Sequence, residues 1–387
     1  MKQKVEEDTQ TMIYSMSLQV LLEEYVLFAE LSEIEISGMC CDSRKVQHGD
    51  LFLAYPGESG ADGRDYIQQA IKNGASAVLS EPLNSQDAIT MMNCREVENN
   101  IGVPVIPIHD LRNKSGLLAT KFYGYPSRQM QMIGVTGTNG KTSISYLIGK
   151  ICQGLKISTP IIGTFGSGFT SNSLQAHGLT TPDCISLQKE LTKFRDQGAE
   201  MVAMEVSSHA ISQQRVKGIH YDVKVFTNCS RDHLDYHGSM QEYINAKKQF
   251  FSDKDFNYMV VNLDDPVGLE LAQVYNESVK VIGISKKTIP LSCHKNMVIA
   301  GVASSINGLT IKFDGDWGAG IINSQLIGDF NAFNLIAAIT TLLCSGVSMT
   351  SILSVVNKIA HIPGRMEYYG GGSLPTVVVD YAHTPDA

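Results

Sequence analysis

The residues best suited to chemistry are Gly137, Thr138, Asn139, Gly140, Lys141, Thr142 and Ser143, which follow an apolar run over 130–136 and open a helical pattern from 142. Glycines let backbone N–H groups close around phosphate oxygens, and a helix N-terminus adds partial positive charge. In such a loop Lys141 reaches the outer phosphates and the Thr142 hydroxyl faces Mg²⁺. The strict G-x-x-x-x-G-K-T spacing is not met, since position 135 is Val and the extra glycines are Gly134 and Gly137. Strand, glycines, lysine, hydroxyl and helix together predict nucleotide binding over an ordinary Gly-rich turn.

Two later strand ends carry acids and imidazoles. Glu205 closes an apolar run over 199–206, and an acid placed beside a phosphate loop can hold the metal that accompanies a nucleotide. After the next run, 223–228, come Asp232, His233, Asp235 and His237, types that suit metal and phosphate work. His233 stands nearer the strand end and is the better ligand candidate. His233 and His237 are spaced for zinc on a helix, but no third strong zinc ligand and no H-E-x-x-H accompany them. His237 therefore reads as structural. Lys247 falls in a helical pattern over 240–251 and, from periodicity alone, looks like a solvated lysine beside Lys248.

These residues need a scaffold that brings strand ends together. Strands are predicted at 130–136, 199–206, 223–228, 258–262 and 280–284, with helical segments between several of them. That alternation predicts a doubly wound, mostly parallel sheet, whose ligands sit at the carboxyl ends of its strands. Before it, strands at 50–55 and 75–80 flank a helix over 65–74 closed by Gly74, which predicts a smaller α/β domain. A helix over 110–123 and a break at Gly124 and Pro126 follow. The expected domains are 1–109, 110–361 and 362–387, the last holding only the first strand (376–380) of a further α/β domain. The first 16 residues carry little hydrophobic pattern and read as a loose extension.

Composition sets outer limits. Among 387 residues, Lys plus Arg number 31 and Asp plus Glu 39, a net charge of −8, which argues against nucleic acid or an anionic membrane as main partner. The 43% apolar and 18% charged content is that of a folded globular chain. Eight Cys without a C-x-x-C pair read as reduced thiols. The polar, acidic start does not read as a secretory leader, and no run reaches the roughly 18 apolar residues of a membrane span. A cytoplasmic protein without membrane insertion is expected.

The motifs, taken in order, resemble those of the Mur ligases. Gly137-Thr138-Asn139-Gly140-Lys141-Thr142, Thr180-Thr181-Pro182-Asp183, Glu205-Val206-Ser207-Ser208-His209, Asp232 to Gly238, Gly328 to Asn334, Pro363 to Glu367 and Asp380 to Asp386 carry the likeness, which runs from about residue 17 to the end. Asp42-Ser43-Arg44 with Gly49-Asp50 fits the family's UDP-binding first domain. The likeness is to the type that adds the third residue of the peptidoglycan stem peptide.

The resemblance implies ATP as co-substrate and Mg²⁺, with an acyl phosphate formed on UDP-N-acetylmuramoyl-L-alanyl-D-glutamate and attacked by a diamino acid, diaminopimelate ahead of L-lysine. It implies that Lys247 is carbamylated, turning a cation into a carboxylate that holds Mg²⁺ with Thr142, Glu205 and His233. Lys141, Glu205, His233 and Lys247 are then the catalytic set. Asn331, Asn334, Arg365 and Asp380 join the loop residues 137–143 on ATP. Ser43, Thr180, Thr181, Ser207, Gln213 and Arg215 hold the UDP-substrate. A monomer is expected. The family has a whole third domain after Asp380, which chooses the amino acid, and this chain ends at its beginning. Two other readings stay open: a folylpolyglutamate-type relative, against which Thr180-Thr181-Pro182-Asp183 and the Tyr381 ending speak, and a module that binds UDP-substrate and ATP without joining anything.

Overall fold

The computed structural model describes residues 14–25, 31, 33–57, 60–84, 102–170, 174–176, 178–286, 293–371 and 374–382. Most of the expected loose extension, Cys94 and the final 383–387 lie outside these residues. The chain divides into two compact units, Met1–Tyr125 and Pro126–Ala387.

In the first unit, β1 (Met16–Ser17) pairs antiparallel with β2 (Glu35–Ile36), and helix α1 (Leu18–Leu22) follows β1. Strands β3 (Gly38–Cys40), β4 (Asp50–Ala54), β5 (Ala77–Ser80) and β6 (Val105–Pro107) form a parallel sheet in that order. Every residue of β4 and β5 is buried, as expected of parallel strands covered on both faces. The helix expected over 65–74 begins as a one-turn 3₁₀ segment, Gly63–Tyr66, capped by Asp62, and continues as α2 (Ile67–Lys72). Gly74, at φ +103°, ends it. Helix α3 (Leu111–Phe122) belongs to this unit, so the compact body continues past the boundary expected at 109.

The second unit is built on a ten-stranded sheet. Its centre runs β14 (Lys295–Ser305), β13 (Lys280–Ser285), β12 (Tyr258–Asn262), β11 (Val223–Phe226), β7 (Gln131–Thr136), β10 (Met201–Glu205) and β8 (Pro160–Gly163), all parallel to their neighbours. Antiparallel strands extend both sides: β9 (Gly166–Phe169) beyond β8, and β15 (Gly308–Gly315) with β16 (Gly320–Ser324) beyond β14. The parallel centre agrees with the sequence reading, whereas the β14–β16 meander was not anticipated.

Alternating side chains of the central strands feed two separate cores. Ile133, Val135, Met201 and Ala203 join the core under helices α4 (Lys141–Leu155) and α10 (Phe330–Cys344). Met132, Val202 and Met204 join the core on the other face, under helix α5 (Cys184–Asp196). This two-sided burial is why the strands read as continuous apolar runs and not as alternating ones. It also leaves only the strand ends for polar chemistry, and β7 lies between β10 and β11, so their three carboxyl ends are neighbours. The apolar stretch over 335–347 forms most of α10, buried within this core. Among the described residues no helix is long and apolar enough to cross a membrane. The strand expected at 376–380 is observed as β18 (Leu374–Val379), paired antiparallel with β17 (Glu367–Gly371).

Candidate active site

The loop after β7 is shaped by backbone that only glycine adopts easily. Gly137 has φ +144°, and a Cβ there would stand 1.9 Å from Thr227 Oγ1. The loop is pinned from the β11 side: Thr227 Oγ1 donates to Asn139 O (2.5 Å), and the Asn228 side chain accepts from Asn139 N (2.9 Å) and donates to Asn139 O (3.2 Å). Lys141 curls back, its Nζ donating to Gly137 O (2.8 Å) and Thr138 O (2.7 Å). Burial lowers its pKa, opposed by the carboxylates of Glu205 and Asp232.

Glu205, at the end of β10, is the buried carboxylate of the site, 1% exposed. Its Oε2 accepts from Thr142 Oγ1 (2.9 Å) and Thr164 Oγ1 (3.1 Å), and its Oε1 from Thr164 N (2.7 Å). Burial raises its pKa, and the Thr164 amide, the Lys141 charge and the Thr142 hydroxyl oppose that rise. Room for the carboxylate comes from Gly163, where a Cβ would lie 2.0 Å from Glu205 Oε1. Thr164 and Gly163 were not singled out from sequence. They follow a short strand with no motif of its own.

After β11, His233 takes a left-handed conformation (φ +51°) just before helix α7 (Leu234–His237). Asp232 holds it twice, accepting from His233 N (2.8 Å) and lying 3.2 Å from His233 Nε2. Burial lowers its pKa. His237, by contrast, ends the helix, and its Nε2 pairs with Ser208 Oγ at 3.0 Å, a local partner consistent with its structural reading. His209 packs among His233, Tyr236 and His237, and burial brings its pKa down to about 4.

Helix α8 (Met240–Gln249) carries Lys247, and Ser239 caps its start, Oγ accepting from Glu242 N at 3.2 Å. The solvated lysine expected from periodicity is corrected here. Lys247 is 1% exposed, because α8 turns this residue inward toward the strand ends and leaves Lys248 outside. Its Nζ sits 4.3 Å from the Tyr243 ring centre and, among the described residues, makes no hydrogen bond or ion pair. Burial, with the Lys141 charge second, pushes its pKa well below the usual lysine range.

One cavity of about 710 Å³ collects most of these groups. Thr138, Asn139, Gly140, Lys141, Thr142 and Ser143 line it from the loop, with Glu205, His233 and Lys247 beside them. Thr180, Ser207 and Arg215 form another wall, and Asn334, Arg365 and Asp380 a third. Arg365 Nη2 donates to Thr142 Oγ1 (3.2 Å), while its Nε is buried without a hydrogen-bond partner among the described residues. Asp380 accepts from Met366 N and Ala382 N, both at 2.7 Å, which fixes the turn that presents Arg365.

Other expected residues lie one layer back. Gly137 supplies a carbonyl to Lys141. Thr181 Oγ1 donates to Glu205 O (2.9 Å) and is fully buried. Arg215 donates to Thr181 O (3.0 Å) and is held by the Gln213 side chain, which also donates to Tyr236 Oη (3.2 Å). Asn331 is fully buried; it donates to Ile327 O (2.7 Å) and accepts from Asn334 Nδ2 (3.0 Å), so it orients Asn334. Ser43 belongs to the first unit, where it opens the one-turn segment Ser43–Lys45 and donates to Gln69 Oε1 at 3.5 Å.

Among the described residues no group of three His, Cys, Asp or Glu side chains is disposed to hold a metal, so zinc finds no ready set. The donors fit a hard, oxygen-preferring cation better: Glu205 is a buried carboxylate with no ion pair among the described residues, and Thr142 adds a hydroxyl beside it.

Fold and cavity together define an α/β protein with a phosphate loop and strand-end acids, the layout of nucleotide-dependent enzymes. The description "Mur ligase middle domain" matches residues 135–342, and "Mur ligase family, catalytic domain" matches 35–123. The UDP-N-acetylmuramoyl-L-alanyl-D-glutamate–2,6-diaminopimelate ligase of Coxiella burnetii is 38% identical over 356 residues, 92% of this chain and 70% of that protein. The protein of the same name from Pseudomonas putida is 41% identical over 365 residues, 93% and 71%. A solved structure of a ligase of that name superposes with a TM-score of 0.78 at 30% identity, covering 96% of this chain and 72% of the other. The chain belongs to the Mur ligase family.

Proposed function

We propose that this protein is an ATP-dependent amide ligase that joins a diamino acid, 2,6-diaminopimelate, to UDP-N-acetylmuramoyl-L-alanyl-D-glutamate. The observation that carries the reading is the meeting of Lys141, Glu205 and Lys247 at one cavity, within a chain so similar to ligases bearing that name. In the first step an oxygen of the D-glutamyl side-chain carboxylate bonds to the γ-phosphorus of ATP, and ADP leaves. In the second, the amine nitrogen attacks the carbonyl carbon, the bond to phosphate oxygen breaks, and phosphate and a proton are released.

The residues divide this work. Loop amides over 137–143 and Lys141 hold the phosphates, and Arg365, whose Nε has no hydrogen-bond partner among the described residues, adds positive charge where the transferring group develops negative charge. Asn334 and Asp380 sit at the nucleotide side. Thr180, Ser207 and Arg215 receive the anionic peptide of the UDP-substrate, with Thr181 and Gln213 bracing them; within the first unit, Ser43 is the residue for uridine. Mg²⁺ would be held by Thr142, Glu205 and His233, and would neutralise charge between the two anionic reactants.

Lys247 completes that set as a carbamate. A lysine whose amine is kept neutral by burial is nucleophilic toward CO₂, and the product is a carboxylate on a long stem. The amine also makes no hydrogen bond among the described residues that the new group would have to break. Water must be kept from the acyl phosphate, and the cavity walls serve that end.

The test is product mass. The purified chain is incubated with ATP, Mg²⁺, bicarbonate, the UDP-dipeptide and either diaminopimelate or lysine. A new UDP-species heavier by one diaminopimelate residue, with ADP and phosphate in equal amount, is the expected result. Bound UDP-dipeptide and ATP with no new mass would replace the ligase reading with that of a binding module.

A further inference from the structure

Tyr243 touches both halves of the site and has no part in the reading above. It lies one helical turn before Lys247 on α8, is 1% exposed, and faces the strand ends. Its hydroxyl shares a 3.0 Å hydrogen bond with Thr138 Oγ1 in the phosphate loop. Thr138 Oγ1 in turn donates to Ser230 O (3.1 Å) and accepts from Ser230 N (3.0 Å), so the loop after β7, the loop after β11 and α8 meet at one hydroxyl. The face of the same ring is 4.3 Å from Lys247 Nζ, which makes no hydrogen bond to the described residues. The ring also packs, tilted, against His237, with centroids 5.2 Å apart.

We propose that Tyr243 is a positioning residue that ties the phosphate loop to Lys247, its hydroxyl setting the loop through Thr138 and its ring setting the direction of the lysine side chain. The inference rests on the ligase reading in taking Lys247 as the carbamate bearer. Two separable effects follow from one side chain. The hydroxyl governs how well the loop fits phosphates, whereas the aromatic surface supports the lysine stem and its terminal group. A residue that merely filled space would affect both alike.

The experiment uses the whole chain and needs no turnover. Affinity for Mg²⁺·ADP is measured by calorimetry, and the Lys247 carbamate by its ¹³C signal in labelled bicarbonate, with Lys247→Met as the blank. Tyr243→Phe is expected to weaken Mg²⁺·ADP about fivefold, as for one lost neutral hydrogen bond, and to leave the carbamate signal unchanged. Thr138→Val also deletes the two Ser230 contacts and should cost more, and the double variant no more than Thr138→Val alone, because the Tyr243 contact is already gone in it. Tyr243→Leu should lose most of the carbamate signal. Wild-type affinity in Tyr243→Phe, or additive losses in the double variant, would overturn the loop assignment. A full carbamate signal in a folded Tyr243→Leu would overturn the lysine assignment. A wild-type chain with neither nucleotide binding nor a carbamate signal would overturn the ligase reading and this one with it, a result distinguishable from wild-type success with unaffected variants.

Discussion

Replacing Lys247 by Met should make the protein more stable while removing a group its reaction needs. The lysine amine is 1% exposed, rests on an aromatic ring and has no hydrogen-bond acceptor among the described residues. Desolvation of the buried amine costs about 1–3 kcal/mol in proteins, and Met fills a similar volume without that cost. For a folding unit of this size each kcal/mol is worth roughly 2–4 °C, so a rise of about 2–12 °C in Tm is expected. The sign with pH follows from linkage. Burial lowers the folded-state pKa, so over the window between that lowered value and the ordinary lysine value the unfolded chain binds the extra proton, and wild-type stability rises with pH. The advantage of Lys247→Met should therefore be largest at low pH and shrink as pH rises through that window. The assay is calorimetric unfolding in CO₂-free buffer at several pH values, repeated with bicarbonate, which should stabilise the wild type alone. A variant that is less stable than wild type at neutral pH, or a gap that widens with pH, would refute the picture of an unsatisfied amine.

Two further outcomes are expected. Lys141→Ala removes a cation from the phosphate loop and should weaken Mg²⁺·ATP roughly tenfold or more, the scale of one charged hydrogen bond, while the UDP-dipeptide still binds; both affinities are readable by calorimetry. Gly163→Ala places a methyl 2.0 Å from the Glu205 carboxylate and should cost about 1–3 kcal/mol in chemical denaturation and weaken Mg²⁺-dependent nucleotide binding, although Gly163 holds no ligand itself.

The sequence made the parallel strands legible because each is a buried apolar run ended by a polar motif: Tyr258–Asn262 is observed with the expected bounds, and Met201–Glu205 falls inside the expected 199–206. The loop at 137–143 was legible for a similar reason, since its glycines, lysine and hydroxyls are contiguous. Lys247 was not. Its burial depends on how α8 packs against the strand ends, and a lysine next to a lysine carries no periodic mark of facing inward; only the family resemblance raised it. Gly163 and Thr164 were missed because their importance lies in proximity to Glu205, 41 residues away in the case of Thr164. The β14–β16 meander was missed because buried positions are interrupted by exposed and half-exposed ones along each strand, which breaks the continuous apolar signal of the central strands.

The Arg365–Thr142 contact spans 223 residues of chain. At the usual pace of synthesis, about 5–20 residues per second, a ribosome needs roughly ten to forty-five seconds between making the phosphate loop and making the guanidinium that reaches it. The parallel strands at 201–205, 223–226 and 258–262 all emerge within that interval, so the sheet can assemble while its charge complement is still missing. A nascent chain therefore passes through a stage with a shaped phosphate loop but without the side chain that finishes its electrostatics. The loop's charge is complete only once the turn that carries Arg365 has been made.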